Sequence, residues 1–208
     1  MDTSPYTFRG DSLTSKDGNS IMMEWERGWM KRIAEIICNK GGDILNIGFG
    51  MGIVDSFISD SNIDSHTIME IHPDVLFYMK NNGWYEKASV VEGDWRTNIH
   101  KLGTYDGIFF DTFGGTLEDF TNGILLKLKT FLKVGGVFSF WYPYSEENSS
   151  LNSFCANNDL SIEYVNLPVD IPKQQHKNRK NYIDPTLKNI LIPVITNNSN
   201  LSLFKNPI

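Results

Sequence analysis

The chain has 208 residues, of which 40% are hydrophobic and 12% aromatic, enough for one substantial core and cramped for two domains. Its 19 Lys and Arg residues and 25 Asp and Glu residues give a net charge of −6, which argues against nucleic acid as a partner. No apolar run could span a bilayer and no secretory signal opens the chain, so we expect a cytoplasmic protein without membrane attachment. The two distant cysteines, Cys38 and Cys155, predict neither a disulfide framework nor a zinc site, and we expect no bound metal.

The N-terminal residues 1–19 are polar, rich in turn-forming residues and without a periodic apolar pattern. We interpret them as a mobile arm or lid, with a disordered tail as the alternative. From Ser20 the pattern predicts a helix that ends at the glycines 41 and 42. Residues 20–208 are interpreted as a single domain.

After this helix, short apolar segments alternate with helical patterns, as in α/β proteins with a buried parallel sheet. The sequence therefore predicts a Rossmann-like, seven-stranded, mostly parallel sheet that ends in an antiparallel strand. The basic stretch 173–180 is interpreted as a solvated loop. The predicted strands are 43–47, 66–69, 89–91, 107–110, 137–141, 162–167 and 190–195, and the predicted helices are 53–58, 73–81 and 117–132.

A glycine-rich segment, residues 46–52, follows the first of these strands and precedes a helix, the context of a nucleotide-binding loop. A plain strand-to-helix turn is the alternative. Glu70 ends the next strand, where a carboxylate can accept hydrogen bonds from ribose hydroxyls. Residue 53 is Ile and not the third glycine of the dinucleotide fingerprint, which favours S-adenosylmethionine over NAD. Together with the segment after the third strand and the acid after the fourth, the predicted cofactor site comprises Gly48, Phe49, Gly50, Met51, Glu70, Gly93, Asp94, Trp95 and Asp111.

Two further acids suggest an acceptor site. Met30, Ile33 and Ile37 form an apolar stripe at helical spacing, and Glu26 lies on the same stripe one turn earlier. A buried carboxylate needs a partner, a proton or the edge of a cleft; the alternative is a solvated Glu26. Asp111 ends an apolar strand, where open α/β sheets bind their ligands, although helix capping would also explain it.

Two converging carboxylates suit a guanidinium, whose planar fork offers several N–H donors. A protonated guanidinium has no nucleophilic lone pair, and its pKa of about 12 or more makes the neutral form rare at neutral pH. Carboxylates could hold the group in line with a methyl donor and accept its proton. We assign Asp111 the role of general base and Glu26 that of orienting the acceptor and its charge.

The phrases Met22-Met23-Glu24-Trp25-Glu26, Gly48-Phe49-Gly50-Met51 and Phe109-Phe110-Asp111-Thr112 resemble the guanidinoacetate N-methyltransferase family, which includes fungal arginine delta-N-methyltransferases. The turn at residues 132–137 resembles the Leu-Lys-Pro-Gly-Gly turn of Rossmann-like methyltransferases, with Val134 in place of proline. The resemblance implies that Glu70 holds the ribose and that Gly93 and its neighbours lie by the adenine. It further implies an acceptor site that comprises Glu26, Trp25, Met30, Asp111, Thr112 and, more loosely aligned, Tyr182.

Residues 70–74 and 111–114 are more similar to the arginine enzyme, but the 208 residues contain no counterpart of that enzyme's N-terminal repeat domain. We therefore expect free arginine or another small guanidino compound as the acceptor. The oligomeric state is left open, with a homodimer as one option. Methylation of another small amine or hydroxyl, and cofactor binding without catalysis, are the alternatives. A base methyltransferase is disfavoured because the Asp/Asn-Pro-Pro-Tyr/Phe phrase is missing after the fourth strand.

Overall fold

The computed structural model describes residues 4–113, 119–173 and 183–198. Tyr182 and residues 174–180 of the basic stretch lie outside these ranges. The strands of the described parts are β1 (Tyr6–Arg9), β2 (Ser12–Ser15), β3 (Ser20–Met23), β4 (Asp43–Ile47), β5 (Ser65–Glu70), β6 (Ser89–Glu92), β7 (Tyr105–Phe110), β8 (Leu132–Phe140), β9 (Leu160–Pro168) and β10 (Asn189–Asn197). The helices are α1 (Arg27–Ile37), α2 (Ile53–Ser59), α3 (Pro73–Asn81), α4 (Trp84–Lys87), α5 (Trp95–Asn98), α6 (Leu128–Phe131) and α7 (Ser149–Asn157).

Seven strands form the main sheet, in the order β6-β5-β4-β7-β8-β10-β9. β4 to β8 pair in parallel, whereas β10 runs antiparallel to both β8 and β9. The predicted architecture, including the antiparallel closure by the last two strands, is therefore confirmed. Strand order reverses at β4 and β7, and open α/β sheets bind ligands at such a switch point.

Hydrophobic side chains fill both faces of this sheet. Ile44, Ile68 and Phe109 join the core that holds α1 to α4, while Leu45, Met69 and Ile108 join the core under α5, α6 and α7. Successive side chains of a strand point to opposite faces, so strands covered on both sides are mostly apolar. No helix in the described ranges is both long and apolar enough to cross a bilayer.

A second, three-stranded antiparallel sheet is formed by β1, β2 and β3. Most of it lies in the segment that the sequence analysis interpreted as a mobile arm. Although most residues of this segment are polar, Leu13 is fully buried and belongs to the core on the α1 side of the main sheet. Strands of four residues carry too few apolar positions for a periodic signal.

Three local predictions were wrong. The helix expected from Ser20 begins at Arg27, because Ser20–Met23 pairs with β2 and Glu24–Glu26 forms a single 3₁₀ turn. The long helix expected over 117–132 is a succession of π, 3₁₀ and α turns from residue 119 to 131. Helix α7 lies in a segment for which no helix or strand was predicted; Asn148 caps it by accepting from the Leu151 N–H at 3.0 Å.

Candidate functional site

The carboxyl ends of the parallel strands form one row, linked by backbone hydrogen bonds. Gly93 N–H donates to the Glu70 carbonyl at 2.8 Å, and Gly48 N–H donates to the Met69 carbonyl at 2.9 Å. Farther along the row, Asp111 N–H donates to the Ile47 carbonyl at 2.9 Å and Trp141 N–H to the Phe110 carbonyl at 3.1 Å. Residues that are distant in sequence thus follow neighbouring strands at the same edge of the sheet.

The glycine-rich loop is packed tightly in this row. Gly48 has a φ of 95°, and a Cβ at this position would lie 1.8 Å from the Asp111 carbonyl oxygen, so only glycine fits. At Gly50, with a φ of 58°, a Cβ would lie 2.9 Å from the Met22 side chain. The Met51 N–H donates to the Met22 sulfur at 3.2 Å. The loop therefore lies between the end of β7 and strand β3.

Glu70 is 8% exposed, and its carboxylate is held by three backbone N–H groups. Oε2 accepts from Phe49 at 2.9 Å, while Oε1 accepts from Ile71 at 2.6 Å and from His72 at 2.8 Å. Hydrogen bonds to a charged carboxylate are stronger than neutral ones. Glu70 thereby connects the glycine-rich loop to the turn after β5 and holds its carboxylate at the strand end.

A buried polar network supports the same loop from below. The Asp55 carboxylate accepts from the Asn46 amide at 2.9 and 3.0 Å, and its Oδ1 lies 3.0 Å from His66 Nε2. The Asn46 amide also donates to the Gly48 carbonyl at 3.0 Å. The network joins β4, α2 and β5 directly beneath the candidate cofactor loop. The sequence analysis missed it, because no single motif carries these residues.

Glu26 lies at the junction between the 3₁₀ turn and α1, not within the helix, yet its side chain is buried as predicted, with 2% exposure. Its Oε1 accepts from the Met23 N–H at 2.9 Å, and its Oε2 accepts from the Trp141 indole N–H at 3.3 Å. Met30, on the next turn, is fully buried. The carboxylate is thus directed toward the end of β8 and not toward solvent.

The pKa of the Asp111 carboxyl group is strongly raised. Burial raises its pKa from 3.8 to about 8, and the negative charges of Glu26 and Glu70 raise it further in the same direction. The structure therefore places Asp111 close enough to Glu26 and to Glu70 for their charges to disfavour its ionisation. A cation between them would relieve this repulsion.

The remaining residues of the predicted cofactor and acceptor sites differ in how deeply they are buried and in what they contact. The Phe49 ring is fully buried and meets Trp84 edge-on at 5.1 Å between centroids, so only its backbone belongs to the loop. Trp95 is also buried, edge-on to Phe110 at 5.3 Å.

Asp94 caps α5 by accepting from the Arg96 N–H at 2.9 Å. Trp25 and Thr112 are half-buried beside Glu26 and Asp111 in the chain. Their roles toward ligands stay predictions.

Trp141 is the residue at this edge that the sequence analysis did not assign to the site. It follows β8 as Asp111 follows β7, so the strand-end rule that singled out Asp111 could have found it. The sequence analysis placed it in the predicted strand 137–141 and did not consider the hydrogen bond that its indole N–H can donate. Among the described residues, no group of three His, Cys, Asp or Glu side chains could hold a metal ion.

In sequence, the chain is similar to known methyltransferases. The family model "Guanidinoacetate N-methyltransferase" matches residues 7–148. Protein arginine N-methyltransferase 2 of Candida glabrata is 42% identical over 142 residues, 62% of this chain and 34% of that protein. Protein arginine N-methyltransferase 2 of Aspergillus fumigatus is 34% identical over 179 residues, 78% of this chain and 42% of that protein. The chain thus spans between a third and a half of the length of these two relatives.

Solved structures share the fold at low sequence identity. A precorrin-6y C5,15-methyltransferase from Geobacter metallireducens superposes with a TM-score of 0.61 and 17% identity, covering 89% of this chain and 93% of that one. The N-methyltransferase NodS from Bradyrhizobium japonicum gives a TM-score of 0.58 and 13% identity, covering 83% and 96%. With the family model matching well over half of the residues, the chain belongs to the guanidinoacetate N-methyltransferase family.

Proposed function

We propose that this chain is an S-adenosylmethionine-dependent N-methyltransferase whose acceptor is a guanidino nitrogen. The observation that carries the proposal is that Glu26 and Asp111 lie close together beside the glycine-rich loop. The negative charge of Glu26 raises the pKa of Asp111. Membership of the guanidinoacetate N-methyltransferase family supports the same reaction.

The residues at the strand ends fit S-adenosylmethionine. Glu70 lies at the end of β5 with its carboxylate held in place, suited to ribose hydroxyls. The acids around Asp111 complement a sulfonium cation. When bound, the cofactor supplies a methyl group on a positively charged sulfur as the electrophile. Gly48, Gly50 and Met51 would line the cofactor with their backbone, and Gly93 and Asp94 would lie toward the adenine.

In the proposed reaction, Glu26 and Asp111 bind the guanidinium and align one nitrogen with the methyl group. Asp111 would take up the proton that this nitrogen loses when it accepts the methyl group. Glu26 remains charged and holds the rest of the guanidino group. Burial and the charges of Glu26 and Glu70 raise the pKa of Asp111 to about 8 in the ligand-free protein. The same surroundings favour proton uptake by Asp111 as positive charge leaves the site.

We further propose free arginine or a similarly small guanidino compound as the acceptor, and the cytoplasm as the location. The two cysteines are buried and unpaired, which agrees with a reducing compartment. The N-terminal residues 1–19 are proposed to close over the site when both ligands are bound. Sedimentation measurements would distinguish a monomer from a homodimer.

Mass spectrometry of the methylated products would test the function. The protein is incubated with S-adenosylmethionine and, separately, arginine, guanidinoacetate, an arginine-containing peptide, simple amines and hydroxyl compounds. We expect one added methyl group on a guanidino nitrogen. Asp111→Asn should lower turnover about 10²–10⁴-fold while cofactor binding survives, and Glu26→Gln should weaken acceptor binding as well. Methylation of amines or hydroxyls alone, or full turnover in Asp111→Asn, would contradict the proposal.

A further inference from the structure

Trp141 connects the two proposed acceptor acids. Its backbone N–H donates to the carbonyl of Phe110, the residue before Asp111. Its indole N–H donates to Glu26 Oε2 at 3.3 Å, across 115 positions of the chain. The same residue is therefore anchored to the strand that ends in Asp111 and to the carboxylate of Glu26.

The Glu26 carboxylate is held at both oxygens. The Met23 N–H binds Oε1 at 2.9 Å from the preceding turn, and the Trp141 indole binds Oε2 from the sheet. A carboxylate has about four lone-pair positions, so two donors do not exhaust its capacity. Two donors on different oxygens oppose rotation of the carboxylate about its terminal bond.

A guanidinium is planar and binds a carboxylate best when the two planes coincide and two parallel N–H···O bonds form. A carboxylate that rotates freely would have to be ordered each time an acceptor binds. Small errors in the alignment of a reacting nitrogen lower the rate steeply. The orientation of Glu26 thus bears on both the binding and the alignment of the acceptor.

We propose that Trp141 is a positioning residue that sets the plane of the Glu26 carboxylate for the acceptor through its indole N–H. The inference rests on the proposed guanidino acceptor and extends it to a residue outside the acids. Trp141 acts through Glu26 and need not touch the acceptor. This effect of Trp141 differs from packing, because it depends on the hydrogen bond that the indole N–H donates to Glu26.

Trp29 provides a matched control. Its ring stacks on that of Trp141, with centroids 6.0 Å apart and 22° between the planes, and the residue is 4% exposed. The Trp29 indole nitrogen has no hydrogen-bond partner among the described residues. Trp29→Phe and Trp141→Phe each leave an aromatic ring in the pair and each remove one indole N–H. Only the second removes a hydrogen bond to Glu26.

The experiment measures kcat/KM for the guanidino acceptor and the affinity for S-adenosylhomocysteine in both Phe variants and in Trp141→His, which restores a ring N–H. Trp141→Phe should lower acceptor kcat/KM about 10-fold or more, the range for a lost hydrogen bond to a charged group. Cofactor affinity should change less than about 2-fold, and Trp29→Phe should stay within about 3-fold of the native protein. Trp141→His should recover part of the loss.

A double-mutant cycle with Glu26→Gln separates positioning from packing. If Trp141 acts through Glu26, adding Trp141→Phe to Glu26→Gln should cost much less than it does alone. Additive losses, or equal losses in both Phe variants, would overturn the inference. If Trp141→Phe does not fold, Trp141 is replaced by benzothienylalanine, which keeps the bicyclic ring and lacks the N–H, and the cycle is run with that variant. A native protein that methylates no guanidino compound would instead refute the proposed function, which keeps the two failures distinct.

Discussion

At the scale of single residues, Asp111 links the electrostatics of the site to ligand binding. With a pKa of about 8, its carboxyl group is mostly protonated near neutral pH in the ligand-free protein. A guanidinium bound beside it favours the charged form and lowers that pKa. Acceptor binding should therefore release a proton.

Calorimetric titration of the acceptor at about pH 7, in buffers of different ionisation enthalpy and with S-adenosylhomocysteine present, measures this release. We expect close to one proton in the native protein and almost none in Asp111→Asn. The ligand-free protein should also lose stability as the pH rises from 3.8 through about 8, because the unfolded chain gives up this proton first. Binding without proton release would contradict the assignment.

Glu70 yields a second residue-scale prediction. Glu70→Ala should weaken the binding of S-adenosylhomocysteine by about 1.5–3 kcal/mol, the range for lost hydrogen bonds to a charged group. The Ala variant also leaves the N–H groups of Phe49, Ile71 and His72 without this acceptor, so the protein should be less stable. Glu70→Gln keeps an acceptor oxygen and should lose less of both. Unchanged calorimetric affinity in Glu70→Ala would refute the ribose assignment.

At the scale of elements, the N-terminal sheet is docked on the turn after β5 and on α3. Tyr6 stacks on the His72 ring at 3.5 Å between centroids, its N–H donates to Asp74 at 2.8 Å, and Phe8 stacks on Tyr78 at 4.2 Å. These contacts adjoin the turn whose N–H groups hold Glu70. The position agrees with the proposed closure over bound ligands.

Removal of residues 1–18 tests the closure. It should lower turnover and acceptor affinity, because an open site admits water and holds the acceptor less firmly. Amide hydrogen exchange of the full chain should slow in β1 and β2 when both ligands are added. Lys16→Ala, an exposed change in the turn between β2 and β3, serves as the control. Unaltered kinetics in the truncated protein would show that the sheet is not a lid.

A prediction about stability follows, at the same scale, from the buried network of Asn46, Asp55 and His66. Asp55→Ala leaves the buried Asn46 amide and the His66 imidazole without this partner, and a buried polar group left unsatisfied costs about 1–3 kcal/mol. The free energy of unfolding in urea measures the effect, with exposed Asp60→Ala at the end of the same helix as control. A loss no larger than that of the control would show that the network contributes little.

At the scale of the whole molecule, ligands that bind only the folded state raise the melting temperature. S-adenosylhomocysteine at about 100 times its Kd should add about 2.7 kcal/mol, which corresponds to about 5–10 °C for a chain of this size. Differential scanning calorimetry measures the shift, with NAD at equal concentration as the comparison. A larger shift with NAD would overturn the choice of cofactor.

Local sequence determined most of the parallel half of this protein. The apolar runs from Asp43 to Phe110 predicted β4, β5, β6 and β7 to within two residues at each end. In β4, β5 and β7 the reason is that strands buried on both faces leave a nearly continuous apolar run. Pro73 likewise marked the first turn of α3. Gly48 and the acids at the strand ends indicated a nucleotide site, and the family assignment that their motifs suggested is confirmed.

Only the tertiary structure decided which distant side chains meet. Glu26 and Trp141 are separated by 115 positions, and their hydrogen bond depends on how α1 packs against the end of β8. The N-terminal strands escaped prediction because Leu13 is stabilised by a core built from later residues. Periodicity reports which face of an element is buried, whereas the partner of a polar atom depends on strand order, loop paths and packing.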